Sequence, residues 1–104
     1  DVIEHIDNND CDWILNEILS YSRNFVYVTI ACYKALKTFS NGKNVHVNIQ
    51  TPEYWKEKLN KLHEKYLHLN VYLVLDILID DKRDANYGKW KSIHHTIERK
   101  DVSV

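Results

Sequence analysis

The chain has 104 residues, room for one domain around one core. An apolar share of 44% and a charged share of 28% are those of a folded globule and exclude a disordered, collagenous or supercharged chain. The formal net charge of −1 argues against non-specific capture of nucleic acid, and no apolar run reaches the ~20 residues that span a bilayer, the longest, Val71 to Ile79, being broken by Asp76.

Charge is unevenly placed. Residues 1–22 hold six acids and no Lys or Arg, whereas the rest holds fourteen basic and nine acidic residues. The first expectation is a single compact domain, residues 1–104, whose acidic N-terminal segment, residues 1–22, carries a helix packed on the body; a sharper one makes that segment an acidic flap over a basic face. Met is absent and the chain opens at Asp1, which reads as an excised or processed piece of a longer protein. Cys11 and Cys32 are too few for a disulfide scaffold and match no zinc motif; Cys11, between Asp10 and Asp12, is a poor nucleophile, and Cys32 sits in an apolar run.

In chain order, a helix is expected from Cys11 to Tyr21, capped by Asp10 or Asp12, with Ile14, Ile18 and Tyr21 on its buried face. From Asn24 to Phe39 composition favours a strand (Phe25-Val26-Tyr27-Val28-Thr29-Ile30), but the spacing of Phe25, Val28, Cys32, Leu36 and Phe39 is helical, and period decides for a helix stopped at Ser40-Asn41-Gly42. Val45, Val47 and Ile49 alternate with His46, Asn48 and Gln50, the pattern of a strand whose His46 faces solvent. Thr51-Pro52-Glu53 starts a helix, because Thr caps, Pro fits the first helical position and Glu suits the positive end of the dipole. Trp55, Leu59, Leu62, Tyr66 and Leu69 form its stripe, and Asn70 ends it.

Val71–Ile79 reads as a central strand, parallel to Val45–Ile49 through the intervening helix, and Asp80–Gly88 as a charged loop. Trp90, Ile93, His94 and Ile97 predict the inner face of a last helix whose outer face is basic. The expected fold is therefore a small layered α/β domain with a short, partly parallel sheet and three to four helices, the alternative being an all-α bundle. From Asn24 to Lys100 this order resembles the second half of the ribonuclease H-like fold. Where that family places an acid after the strand, this chain has Gln50-Thr51-Pro52, so no catalytic residue carries over.

Two constellations could carry function. Asp76 interrupts an apolar strand and His94 lies on an apolar face, so the pair is the acid/base candidate. Lys82, Arg83, Tyr87, Lys89, Lys91, His95 and Arg99, with Trp90 among them, combine phosphate-neutralising charge with stacking aromatics. No metal-binding motif, glycine-rich phosphate loop or cofactor fingerprint occurs. Seven Tyr and three Trp exceed what one small core hides, and two strands make a thin sheet. The expected function is thus a non-enzymatic protein-interaction module, with a protein partner or a second copy as ligand and no membrane contact. The alternative is a small nucleic-acid-binding or RNA-cleaving domain that uses residues 82–99.

Overall fold

The computed structural model describes residues 3–33, 41–42, 46 and 48–100. Among them a short 3-10 turn at Ile3–His5 leads into helix α1 (Asn8–Tyr21), strand β1 (Phe25–Ala31), helix α2 (Pro52–His63), and strands β2 (Asn70–Leu78) and β3 (Trp90–Ile97). The strands form one mixed sheet in the order β1-β2-β3. β1 and β2 run parallel, Phe25 opposite Asn70 and Ala31 opposite Asp76. β2 and β3 run antiparallel, Val71 opposite Ile97 and Leu78 opposite Trp90. Among the described residues this is a small α/β domain with two α-helices, not three or four, and it is not an all-α bundle.

β1 replaces the predicted helix over Asn24–Phe39 as far as the described residues go; Lys34 to Ser40 lie outside them. Its β-branched and aromatic run outweighed the helical spacing, because each second residue, Val26, Val28 and Ile30, buries on the helix side while Phe25 and Tyr27 stay exposed. The strand expected at Val45–Ile49 does not stand beside β2, whose two edges are taken by β1 and β3. Val45 and Val47 lie outside the described residues, and His46, Asn48, Ile49 and Gln50 are not in a strand. Asn48 is buried instead, its N–H donating to the Glu4 carbonyl at 3.0 Å.

The predicted last helix is β3. The hairpin closes through Gly88 N–H to Ile79 O (2.9 Å) and Ile79 N–H to Lys89 O (3.0 Å), with Gly88 at φ +81°, where a side chain would be strained. Once Trp90 is hydrogen-bonded opposite Leu78, the alternation Lys91, Ile93, His95, Ile97 faces the helices and Trp90, Ser92, His94, Thr96 face away. With this change the observed order departs from the ribonuclease H-like succession, which ends in a helix.

α1 begins three residues earlier than expected, since Asp7, not Asp10 or Asp12, is the cap, accepting from Asn9 N–H at 3.1 Å. Its buried row is Cys11, Leu15 and Leu19, one residue round from Ile14, Ile18 and Tyr21. Both rows are apolar, and the sheet accepts the one with two leucines. Two other acids of the segment are engaged: Asp12 pairs with Lys58 on α2, and Asp10 accepts from Trp13 Nε1. Burial opposes the Lys58 charge, but hydrogen bonds to Asp12 and Tyr54 outweigh it and hold its pKa above the usual lysine value.

Thr51-Pro52-Glu53 starts α2 as read, Tyr54 N–H donating to Thr51 Oγ1 at 3.2 Å. The helix stops at His63, short of Asn70. His63 is buried and its Nε2–H donates to Leu69 O at 2.7 Å, drawing the chain through the turn at 64–68 into β2. The core is one cluster in which Cys11, Leu15 and Leu19 of α1 and Trp55 and Leu59 of α2 meet Val26, Val28, Ile30, Val71, Leu73, Leu75 and Ile97. Both helices therefore cover the same side of the sheet.

Candidate functional site

Among the described residues no helix covers the other side, although Ala31 (3% exposed) and Val74 (6%) on it are buried. By strand alternation that face carries Phe25, Tyr27, Thr29 and Ala31 from β1, Asn70, Tyr72, Val74, Asp76 and Leu78 from β2, and Trp90, Ser92, His94 and Thr96 from β3. Phe25 (61% exposed), Tyr27 (63%), Tyr72 (38%), Leu78 (39%) and Trp90 (56%) are exposed large hydrophobics. They form two clusters. Phe25 and Tyr72 meet edge to face, ring centroids 6.2 Å apart, and at the opposite end Tyr33 packs on Trp90 at 4.3 Å. Between them lie Thr29, Val74 and Asp76, whose carboxylate accepts from Ser92 Oγ at 2.6 Å. Asp76 and His94 are the acidic and basic side chains among these face residues, which include no Lys or Arg.

The predicted acid/base pair is thus on the open face and not in the core: Asp76 is half-buried and bonded to Ser92, while His94 is exposed opposite Val74. A strand in place of a helix also divides the basic set. Lys91 and His95 lie on the helix side of β3, Arg99 follows that strand, Lys82, Arg83, Tyr87 and Lys89 sit in or beside the hairpin loop, and Trp90 alone among them stands on the aromatic face. Arg83 Nε lies 3.4 Å from Asp81, so part of the loop's positive charge is already partnered.

His95 is half-buried, its Nε2 shielded with no hydrogen-bond partner among the described residues. Burial, followed by the Lys56 charge, lowers its pKa below the usual 6.5. The unfolded chain therefore binds this proton more readily. The stability due to neutral His95 is complete above the unfolded pKa and lost as pH falls through the folded one. Melting temperature is expected to fall between pH 7 and pH 5 more steeply in the wild type than in His95→Phe; equal slopes in the two proteins would exclude this role.

A second group was invisible in the sequence. Glu4, His5 and His46 offer one donor atom each within 4.8 Å of one another, at the end of the sheet where β1 runs out into Cys32 and Tyr33. His46 is half-buried and not the solvent-facing strand residue expected, with Nδ1 2.6 Å from Tyr33 O. Glu4 and His46 are separated by most of the first half of the chain and are joined through the Asn48–Glu4 backbone bond, so no spacing rule finds them. Both thiols are free. Burial, then the carboxylates of Asp76, Glu4 and Glu53, pushes Cys32 up to about 11, and burial raises Cys11 as well, so neither is a ready thiolate at neutral pH.

No helix among the described residues is long and apolar enough to cross a membrane. Comparison of the chain with protein-family models, with curated proteins and with solved structures finds no match.

Proposed function

We propose that the chain is a protein-interaction module whose contact surface is the open face of its sheet, and that the occupant is the same face of a second copy. The observation that supports this reading is the pairing of five exposed large apolar side chains with an absence of Lys and Arg among the described strand residues of that face. Contact cores are depleted in charge and enriched in Tyr, Trp and Phe. A phosphate backbone needs cations, and the described strand residues of this face include no Lys or Arg.

A second copy fits because the face is self-complementary. In a two-fold contact a group on one copy meets its counterpart reciprocally, so Asp76 of each copy is available to His94 of the other while the aromatic clusters stack. The face measures about 15 by 25 Å from strand spacing and rise. Two of them bury roughly 1,000 Å², the low end for a specific complex, so the dimer is reversible and in the micromolar range or weaker.

Sedimentation velocity over a wide concentration range tests this. The wild-type mass rises toward that of a dimer, and Tyr72→Lys, which places a charge on an already exposed position, remains a monomer with an unchanged far-ultraviolet spectrum. A wild type that stays monomeric at the highest attainable concentration overturns the reading, as does a Tyr72→Lys protein that dimerises equally well. Binding of single-stranded RNA at low salt, lost when Lys89, Lys91 and Arg99 become Ala, overturns it in favour of nucleic acid.

A further inference from the structure

We infer that Glu4, His5 and His46 form a binding site for a late first-row divalent cation, zinc being the ion that the donor set fits best. The site adjoins one end of the open sheet face, where Tyr33 packs on both His46 and Trp90, but its donors are not residues of that face and the inference does not depend on self-association.

The first argument is the state of Glu4. Its residue is 2% exposed, Oε2 is shielded with no hydrogen-bond partner among the described residues, and Oε1 lies 3.9 Å from His5 Nε2, beyond a good hydrogen bond. A carboxylate in that condition has lost water and gained nothing comparable, a costly arrangement unless a positive charge joins it. A cation bound among the three donors supplies that charge.

The second argument is the orientation of His46. Because the Tyr33 carbonyl can only accept, His46 Nδ1 carries the proton of their 2.6 Å contact, so in the neutral ring Nε2 is the acceptor nitrogen. Metal-ligating histidines are commonly held in this way, one nitrogen donating to a carbonyl and the other kept as the ligand. The His5 and His46 rings approach edge to face, centroids 4.8 Å apart at 81°, so both imidazoles reach the same small volume beside the carboxylate.

Distances are compatible with an ion. Donors about 2.0–2.2 Å from a tetrahedral centre are roughly 3.4 Å from one another, so the present 3.9 Å and the 4.8 Å limit require closure by about 1 Å. His5 is the exposed member of the three. Glu4 is fixed by the Asn48 bond to its carbonyl and His46 by its bond to Tyr33. Two imidazoles and one carboxylate match zinc with three protein ligands and one position left for water or another group, whereas calcium and magnesium need more oxygen donors than this cluster holds.

Isothermal titration of the full chain, freed of metal by chelation, with zinc chloride tests the site, alongside melting temperature with and without zinc and the visible spectrum with cobalt(II). The expected result is one zinc per chain, a higher melting temperature with zinc, and the intense visible bands of tetrahedral cobalt. Glu4→Gln keeps the shape and removes the charge: it melts at the same temperature as the wild type or higher without metal, yet binds zinc at least about tenfold more weakly. His46→Gln loses binding likewise, and His68→Gln, outside the cluster, binds as the wild type does. Absence of a zinc-dependent melting shift in the folded wild type overturns the site. So does undiminished affinity in both Glu4→Gln and His46→Gln, which would place the zinc elsewhere.

Discussion

Replacing Trp55 by Ala is expected to lower stability by about 3–5 kcal/mol, against a total of roughly 5–15 kcal/mol for a domain of this kind. Trp55 is the largest fully buried side chain, 0% exposed, and it stands where α2 crosses the sheet beside Leu59. Its truncation removes apolar area from the helical layer that covers the sheet. Trp55→Phe behaves differently. The indole Nε1 is buried with no hydrogen-bond partner among the described residues, so the indole carries an unpaired donor that costs about 1–3 kcal/mol. Phe loses some packing but sheds that penalty, and is expected to fall within about 1 kcal/mol of the wild type. Urea denaturation of the three proteins checks both; a Phe variant as damaged as Ala means the indole nitrogen has a partner in solution.

The same residue shows what was legible in the sequence. Thr51-Pro52-Glu53 followed by Trp55 and Leu59 announced α2, because a cap, a fixed φ and an apolar spacing all act within one turn. Val71 to Leu78 was legible as a central strand because its uniform apolarity leaves few other places for it. The errors occurred where a local pattern was ambiguous and long-range pairing decided. Residues 25–31 and 90–97 each carry apolar groups at spacings that fit a helix. They become strands because β2 offers two edges, one to a parallel neighbour and one to a hairpin. Those two errors also hid the open face: aromatic excess was visible in the composition, but Phe25, Tyr27, Tyr72 and Trp90 share a surface only when all three strands are in register. The Glu4–His5–His46 group lay further out of reach, since a 3-10 turn meets the neighbourhood of Asn48 there through bonds such as Asn48 N–H to Glu4 O, which leave no periodic trace.

Asn48→Ala is expected to cost about 2 kcal/mol, an unusually large loss for a residue in neither helix nor strand. Asn48 is 2% exposed. Its side-chain amide donates to Cys11 Sγ at 3.1 Å and more weakly to Asn8 Oδ1 at 3.5 Å, and its Oδ1 accepts from Gln50 Nε2 at 3.0 Å. Truncation leaves these groups short of a partner in a site where water enters poorly, and polar groups stranded in this way carry their full desolvation cost. The backbone bond to Glu4 survives in the variant, so the loss isolates the side chain. Asn48→Asp sharpens the point: it keeps the size but exchanges the donor toward Cys11 for a charge and is expected to destabilise more than Ala at neutral pH. Denaturant midpoints for Asn48→Ala and Asn48→Asp decide the matter, and a midpoint unchanged in both would mean that the amide is not what fastens residues 46–50 to the beginning of the chain.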